Sequence, residues 1–229
     1  MTLFHPHRGA ALALAAGLAL AAAQAPAQNG AHDHGHSHDH DHDHDHDRSA
    51  EATAIYEGHF DDAQVEARPL SDWEGDWQSV YPYLQDGTLA PVMAHKAEDG
   101  DRSAEEYRAY YETGYRTDIG RIEISADRVT FHRGEEAFSG DYAADGYEIL
   151  TYEAGNRGVR FVFEKTGGDA EAPQFIQFSD HGIAPAASDH YHLYWGGDRA
   201  ALLEEVTHWP TYYPAALSPD EIVAEMMAH

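Results

Sequence analysis

From Gly120 onward, apolar side chains recur at every second position in short runs: Ile122 and Ile124, Val129 and Phe131, then residues 147–152, 159–164, 175–178 and 190–195. Successive strand side chains point to opposite faces, so each run predicts a half-buried β-strand. Gly, Asp and Asn break the runs, most clearly at Gly155-Asn-Arg-Gly158. A series of evenly spaced strands of this kind closes into a barrel or sandwich to remove its edges. Before Gly120 the spacing is three to four. Leu70, Trp73, Trp77, Val80, Tyr81 and Leu84, with Ser71 and Glu74 as a capping box, predict a helix that Pro82 limits. Ser103 and Glu106 repeat the box ahead of Tyr107, Tyr110 and Tyr111, and Gly114 is expected to stop that helix. Two more helices are expected late, over residues 198–206 and after Ser218-Pro-Asp-Glu221, an N-cap with Pro at the first helical position. The expected architecture is mainly β: an antiparallel barrel with helices inserted early and appended at the C-terminus.

The first 27 residues follow another pattern. His5, His7 and Arg8 precede an uncharged Ala/Leu-rich run over residues 9–23, and Ala25-Pro-Ala27 offers a small-x-small cleavage site before Gln28. Residues 1–27 therefore read as a secretory signal. The run is short for a membrane span and has no charged stop-transfer flank, so no stable membrane anchor is expected. The chain has no cysteine, which excludes disulfides, thiolate metal sites and a cysteine nucleophile. An exported domain of this composition must be held by its core, and about 180 residues suffice for one. The balance of 14 Lys and Arg against 41 Asp and Glu, a formal −27, repels phosphate backbones and anionic membranes and draws cations. No nucleic-acid partner is expected.

Residues 28–50 form a tail dominated by His32, His34, His36, His38, His40, His42, His44 and His46, one at every second position with carboxylates between most of them. It holds nothing apolar to bury, so it is expected to be disordered without metal. Imidazole suits zinc, copper and nickel, and many alternative ligand sets on one extended tract imply weak sites of high capacity. A solubilising acidic tail would explain the Asp but not the His.

A second group lies in Gln177-Phe-Ser-Asp-His181 and His190-Tyr-His192-Leu-Tyr-Trp195. On a strand, His190 and His192 share one face, and a hairpin would bring His181 to the same end of the sheet. Three neutral imidazoles converging on a point form a zinc shell with a fourth position open. Taken alone, His-x-His reads equally as two strand histidines satisfied by water; the third His and the His-rich tail favour metal. His59, His95, His132 and His208 stand singly and read as surface or packing residues, and His229 is the last residue. Trp209, Tyr212 and Tyr213 read as helix-flanking aromatics that plug a barrel end.

The stretches Arg68-Pro-Leu-Ser-Asp-Trp-Glu-Gly-Asp-Trp-Gln-Ser-Val-Tyr-Pro-Tyr-Leu84, Gly114-Tyr-Arg-Thr-Asp118, Gly146-Tyr-Glu-Ile-Leu-Thr-Tyr152, Gly158-Val-Arg160, Gln177 to His181, His190-Tyr-His192, Trp209-Pro-Thr-Tyr-Tyr-Pro214 and Glu225-Met-Met-Ala-His229 together resemble the ZinT (YodA) family. The resemblance covers roughly residues 55–229, within a domain expected over residues 51–229, and implies a lipocalin-like (calycin) barrel, zinc and cadmium binding, and a periplasmic location. It also implies a role in zinc homeostasis: capturing Zn(II) when scarce and assisting a zinc ABC importer through transient contact with its solute-binding protein. The family's three metal histidines fall on His181, His190 and His192, and Gly75-Asp76-Trp77 becomes the lead into the first barrel strand. Family members can carry a Cys pair in the barrel; this chain has none. Zn(II) is thus the expected ion, with Cd(II), Cu(II) and Ni(II) as further candidates. Two other classes remain open at this point. One is a zinc hydrolase using a bound water, against which stands the lack of His-Glu-x-x-His. In that setting Asp180 and Asp189, beside the ligands, suit orienting roles more than proton transfer. The other is a lipocalin-type carrier, which needs an open apolar interior.

Overall fold

The computed structural model describes residues 50–152 and 155–228. The expected leader, all eight tail histidines and His229 lie outside the described residues. Eight antiparallel strands follow one another around a closed barrel: β1 (Gly75–Ser79), β2 (Arg121–Ser125), β3 (Arg128–Arg133), β4 (Glu136–Thr151), β5 (Arg157–Gly168), β6 (Phe175–Ser179), β7 (Tyr191–Gly196) and β8 (Thr211–Pro214). β8 closes on β1 through Trp77↔Pro214, Gln78↔Tyr213 and Ser79↔Tyr212, which leaves no free edge. The helices are α1 (Ala50–Tyr56), α2 (Tyr81–Gln85), α3 (Ala90–Asp99), α4 (Ala104–Gly114), α5 (Arg199–Glu204) and α6 (Pro219–Met227). Among the described residues no helix is long and apolar enough to cross a membrane.

Alternation sorts the strand side chains into two populations. Inward positions, including Trp77, Phe131, Phe161, Phe163, Phe178, Tyr191, Leu193 and Tyr212, fill the barrel with rings and branched chains, and Trp73 packs among them fully buried. An eight-stranded barrel has room for its own side chains or for one small ligand, and among the described residues these side chains occupy the interior. Outward positions on β8 meet a second core. There Tyr213 joins Val80, Leu84, Val92, Met93, Tyr107, Tyr115, Ile222 and Met226, so that α2, α3, α4 and α6 pack as one layer on the barrel wall.

Two sequence expectations are corrected. The helix expected over residues 70–84 is a 3-10 turn (Leu70–Trp73), strand β1 and short α2. The four-residue spacing of Trp73 and Trp77 survives because both indoles enter the barrel, with Trp77 Nε1 donating to the Trp73 carbonyl at 2.8 Å. Gly75 at φ +147° turns the chain between them, as the family resemblance implied. Ser71 and Glu74 form a backbone turn, Glu74 N to Ser71 O, and not a cap. Tyr212 and Tyr213 lie on the closing strand β8, one facing each core; a four-residue strand with Pro at each border gives too short an alternation to read. The capping boxes at Ser103/Glu106 and Ser218/Glu221 form as expected.

Gly114 is the last residue of α4, and its lack of a side chain serves packing: a Cβ there would run into the indole of Trp209, and the Trp209 backbone N–H donates to the Gly114 carbonyl at 2.7 Å. Gly114→Ala gains about 1 kcal/mol of helix propensity and incurs an overpacking cost of about 1–3 kcal/mol. A net loss of up to about 2 kcal/mol is therefore expected, read as a lower urea midpoint accompanied by a shift in Trp emission.

Candidate metal site

The three expected histidines meet on the outer wall of the barrel, at the end where β6 stops and β7 starts. Tyr191 and Leu193 point inward, so His192 between them points out, toward the first helix and the loops around it. His190 immediately precedes β7 and is 8% exposed. His181 follows β6 in the left-handed region, at φ +63°, which few non-glycine residues adopt. Its neighbour holds it there. Asp180 accepts from Arg68 Nη1 at 2.6 Å, Trp73 Nε1 at 3.1 Å and the Gly182 amide at 3.1 Å. Arg68 Nε in turn meets Asp72 at 2.8 Å and its Nη2 meets the Ala186 carbonyl at 2.7 Å, so one buried guanidinium ties down the start and the middle of the loop between His181 and His190.

Each ring is also oriented by a contact behind it. His181 stacks on Tyr56 at 4.3 Å, and its Nδ1 lies 3.2 Å from the Tyr56 carbonyl, which can only accept. Nδ1 of His181 therefore carries the proton and Nε2 presents its lone pair. The same reasoning applies to His192. The Thr211 hydroxyl donates to the Trp209 carbonyl at 3.0 Å, so toward His192 Nδ1, 2.8 Å away, it must accept. That bond follows from register, because Thr211 is the cross-strand partner of His192. His190 lies flat on Tyr213, with ring centres 5.0 Å apart and planes within 9°.

The ring centres form a near-equilateral triangle with sides of 6.0 Å (His181 to His190), 5.9 Å (His181 to His192) and 6.2 Å (His190 to His192). Zn–N bonds of about 2.0–2.1 Å on a tetrahedral ion would set ring centres about 5.1–5.5 Å apart. The triangle is thus open by somewhat less than 1 Å on each side, and no three His, Asp or Glu of the described residues are already closed to hold an ion. The donor set, three imidazoles with no thiolate or carboxylate among them, suits zinc and its borderline neighbours.

Burial lowers the pKa of His192 to about 3, with the imidazole of His181 and the guanidinium of Arg160 adding in the same direction. His192 is thus neutral at physiological pH and would need to release no proton before binding a cation. The depressed value also bears on stability. Between pH 6.5 and about 3 the unfolded chain holds a proton on this residue that the folded chain refuses, so this contribution is complete above pH 6.5 and is lost as pH falls through that window. In metal-free protein, His192→Gln is expected to remove on the order of 2–4 kcal/mol of the stability difference between pH 7 and pH 4. Urea unfolding of the two proteins at the two pH values measures it; equal differences would contradict the assignment.

Three of the single histidines have partners of their own. His95 faces Glu98 at 3.7 Å, His132 Nε2 lies 3.2 Å from Glu123, and His208 bonds the Arg116 carbonyl. His59 lines the cavity beside the triangle. Asp180, next to His181, has both oxygens engaged in the Arg68 and Trp73 contacts, so it orients and is not placed as a base. Sequence reading missed Arg68, Tyr56, Thr211 and Tyr213 as supports. Only Thr211 carried a usable signal, since recognising β8 would have set it opposite His192.

A closed eight-stranded barrel with a histidine cluster on its wall and helices layered over it defines a lipocalin-like metal-binding class. The ZinT family model, described as periplasmic lipocalin-like zinc-recruitment, matches residues 51–229, and the chain belongs to that family. The probable metal-binding protein YrpE of Bacillus subtilis is 58% identical over 180 residues, covering 78% of this chain and 72% of the relative. The zinc-binding protein AdcA of Streptococcus pyogenes is 52% identical over 76% of this chain, which spans 35% of that longer protein. The crystal structure of the Zn(II)-bound ZinT-like domain of Streptococcus pneumoniae AdcA superposes with a TM-score of 0.74 at 47% identity, covering 76% of this chain and 97% of that domain.

Proposed function

We propose that this protein is an exported, periplasmic zinc-recruitment protein that holds one Zn(II) tightly on His181, His190 and His192. The observation that carries the reading is the triangle of imidazoles, two of them held with the proton on Nδ1, in a chain of the ZinT family. Removal of a leader at Ala27 would leave the His/Asp tail as a collector in front of that site. Neutral imidazole binds metal and imidazolium does not, so with ordinary values near 6.5 the tail loads above about pH 7 and releases toward about pH 5.5. An open fourth position lets incoming and outgoing ligands exchange, which suits handover to the solute-binding protein of a zinc importer more than permanent storage. Cd(II) fits the same donors; Cu(II) and Ni(II) compete best at the tail. The function is binding and delivery, not catalysis: relatives are named as metal-binding and zinc-binding proteins, and Asp180 is committed to structure.

Zinc titration by calorimetry at pH 7.4 tests this on the full chain and on the variant His181→Ala, His190→Ala, His192→Ala. The expected result is loss of one tight site with several weaker ones retained; an unchanged isotherm would move the tight site elsewhere. Replacing the eight tail histidines by Ser should do the reverse, lowering stoichiometry while keeping the tight phase.

A further inference from the structure

A row of outward-facing side chains crosses the barrel wall at the site. Thr211 pairs with His192, His192 with Ser179, and the β5–β6 register, one step beyond Phe161↔Phe178, sets Arg160 beside Ser179. Arg160, Ser179 and His192 line one cavity of about 530 Å³, whose lining also includes Tyr56, Tyr110 and Trp209. Arg160 is 1% exposed. A buried guanidinium ordinarily has a carboxylate partner, and among the described residues this one has none. Glu148, its cross-strand neighbour on β4, is turned to Arg199 at 2.9 Å. Glu205 offers Arg160 only its backbone carbonyl, at 3.1 Å from Nη2, while its carboxylate caps Thr207 and His208. Nε and Nη1 of Arg160 carry no hydrogen bond, and the flat of the guanidinium rests on Tyr194 with Cζ 3.2 Å from the ring centre.

We propose that this cavity is a carboxylate subsite: Arg160 holds a small carboxylate that also ligates the captured metal at its open fourth position. The proposal rests on the three-histidine reading above. Its physical basis is charge. Three neutral imidazoles leave a bound divalent ion with its full charge, beside a buried cation that no carboxylate of the described residues pairs. A carboxylate neutralises both and matches the paired donors that a guanidinium edge presents. Ser179 adds a hydroxyl to the same wall. The carboxylate has two possible sources, a free small acid carried in with the metal or an aspartate of the tail.

The test uses the full chain loaded with one equivalent of Co(II), whose visible bands report coordination, and titrates in succinate at constant ionic strength. The expected result is a saturable change in the bands. Arg160→Gln should need at least about tenfold more succinate to saturate; where no tail carboxylate can occupy the subsite, its metal affinity in the absence of succinate should be unchanged or tighter. A chain with Asp33, Asp39, Asp41, Asp43, Asp45 and Asp47 all replaced by Asn separates the sources. If only that chain responds to succinate, the native occupant is a tail carboxylate; if both respond alike, it is a free acid. Bands insensitive to succinate in both chains, or saturation unchanged in Arg160→Gln, would overturn the subsite. Should Arg160→Gln not fold, Arg160→Lys keeps the charge and loses the fork, and unchanged saturation there would be equally decisive. Co(II) bands identical to those of the triple histidine variant would instead mean that the three-histidine reading has failed.

Discussion

Arg68→Ala is expected to lower the unfolding free energy by about 3–5 kcal/mol, the range for removing one partner of a buried charge network. Arg68 and Asp180 have side chains 1% and 4% exposed and approach to 2.6 Å, so the substitution strands a buried carboxylate. Asp72, 11% exposed and 2.8 Å from Nε, loses its partner at the same time. The guanidinium also lies 4.2 Å from the Trp73 ring centre and 5.1 Å from that of Phe161, and that packing is lost too. For a domain of this size the change corresponds to a fall in Tm of about 6–20 °C. Thermal unfolding in the presence of a chelator measures it. Pairing Arg68→Met with Asp180→Asn removes the stranded charge and should recover part of the loss. If the double variant is as unstable as Arg68→Ala, lost packing rather than stranded charge accounts for most of the destabilisation. In the folded fraction, zinc affinity should fall about 10–100-fold, as for loss of other groups that orient ligands. The reason is that Asp180 no longer holds His181 in its left-handed backbone.

That network also shows where the sequence stops being informative. His-x-His on a strand and a third His eleven residues before the second of the pair define the cluster because strand period and hairpin closure are local rules, and the triangle follows from them. The capping boxes at Ser103 and Ser218 are legible for the same reason. Arg68 meets Asp180 across 112 residues, and nothing local in either segment announces the pair. Which face of β7 carries the histidines was equally hidden. The alternation of Tyr191, His192, Leu193 and Tyr194 fits either orientation, and only the filled interior decides that Tyr191 and Leu193 go in and His192 goes out. β1 was obscured by a tryptophan spacing that imitates a helix. Most of β4 was obscured because residues 136–146 are rich in Gly, Ala and Asp and carry two register shifts, so apolar alternation is lost while the ladder continues.

His192→Ala is expected to weaken zinc binding by two to three orders of magnitude while leaving the fold intact. Structural zinc sites bind with about 10–16 kcal/mol shared over four ligands, so one imidazole accounts for about 2.5–4 kcal/mol. Of the three proposed ligands, His192 is the one best prepared by its surroundings. Its ring is held neutral by burial, and Thr211 fixes the proton on Nδ1, leaving Nε2 free. Thr211→Val keeps the shape of that residue and removes the acceptor, so it separates orientation from ligation: zinc affinity should fall about 10–100-fold, clearly less than for His192→Ala. Competition titrations with a chromophoric chelator at pH 7.4, on chains whose eight tail histidines are Ser, give both values free of the weak sites. Equal losses would mean that His192 binds only through its Thr211-directed tautomer. No loss in Thr211→Val would mean that the ring finds its orientation from packing alone. A His192→Ala protein that still binds zinc tightly would leave His181 and His190 as a two-imidazole site completed from elsewhere, and the register that sets His192 against Thr211 would then serve only the barrel.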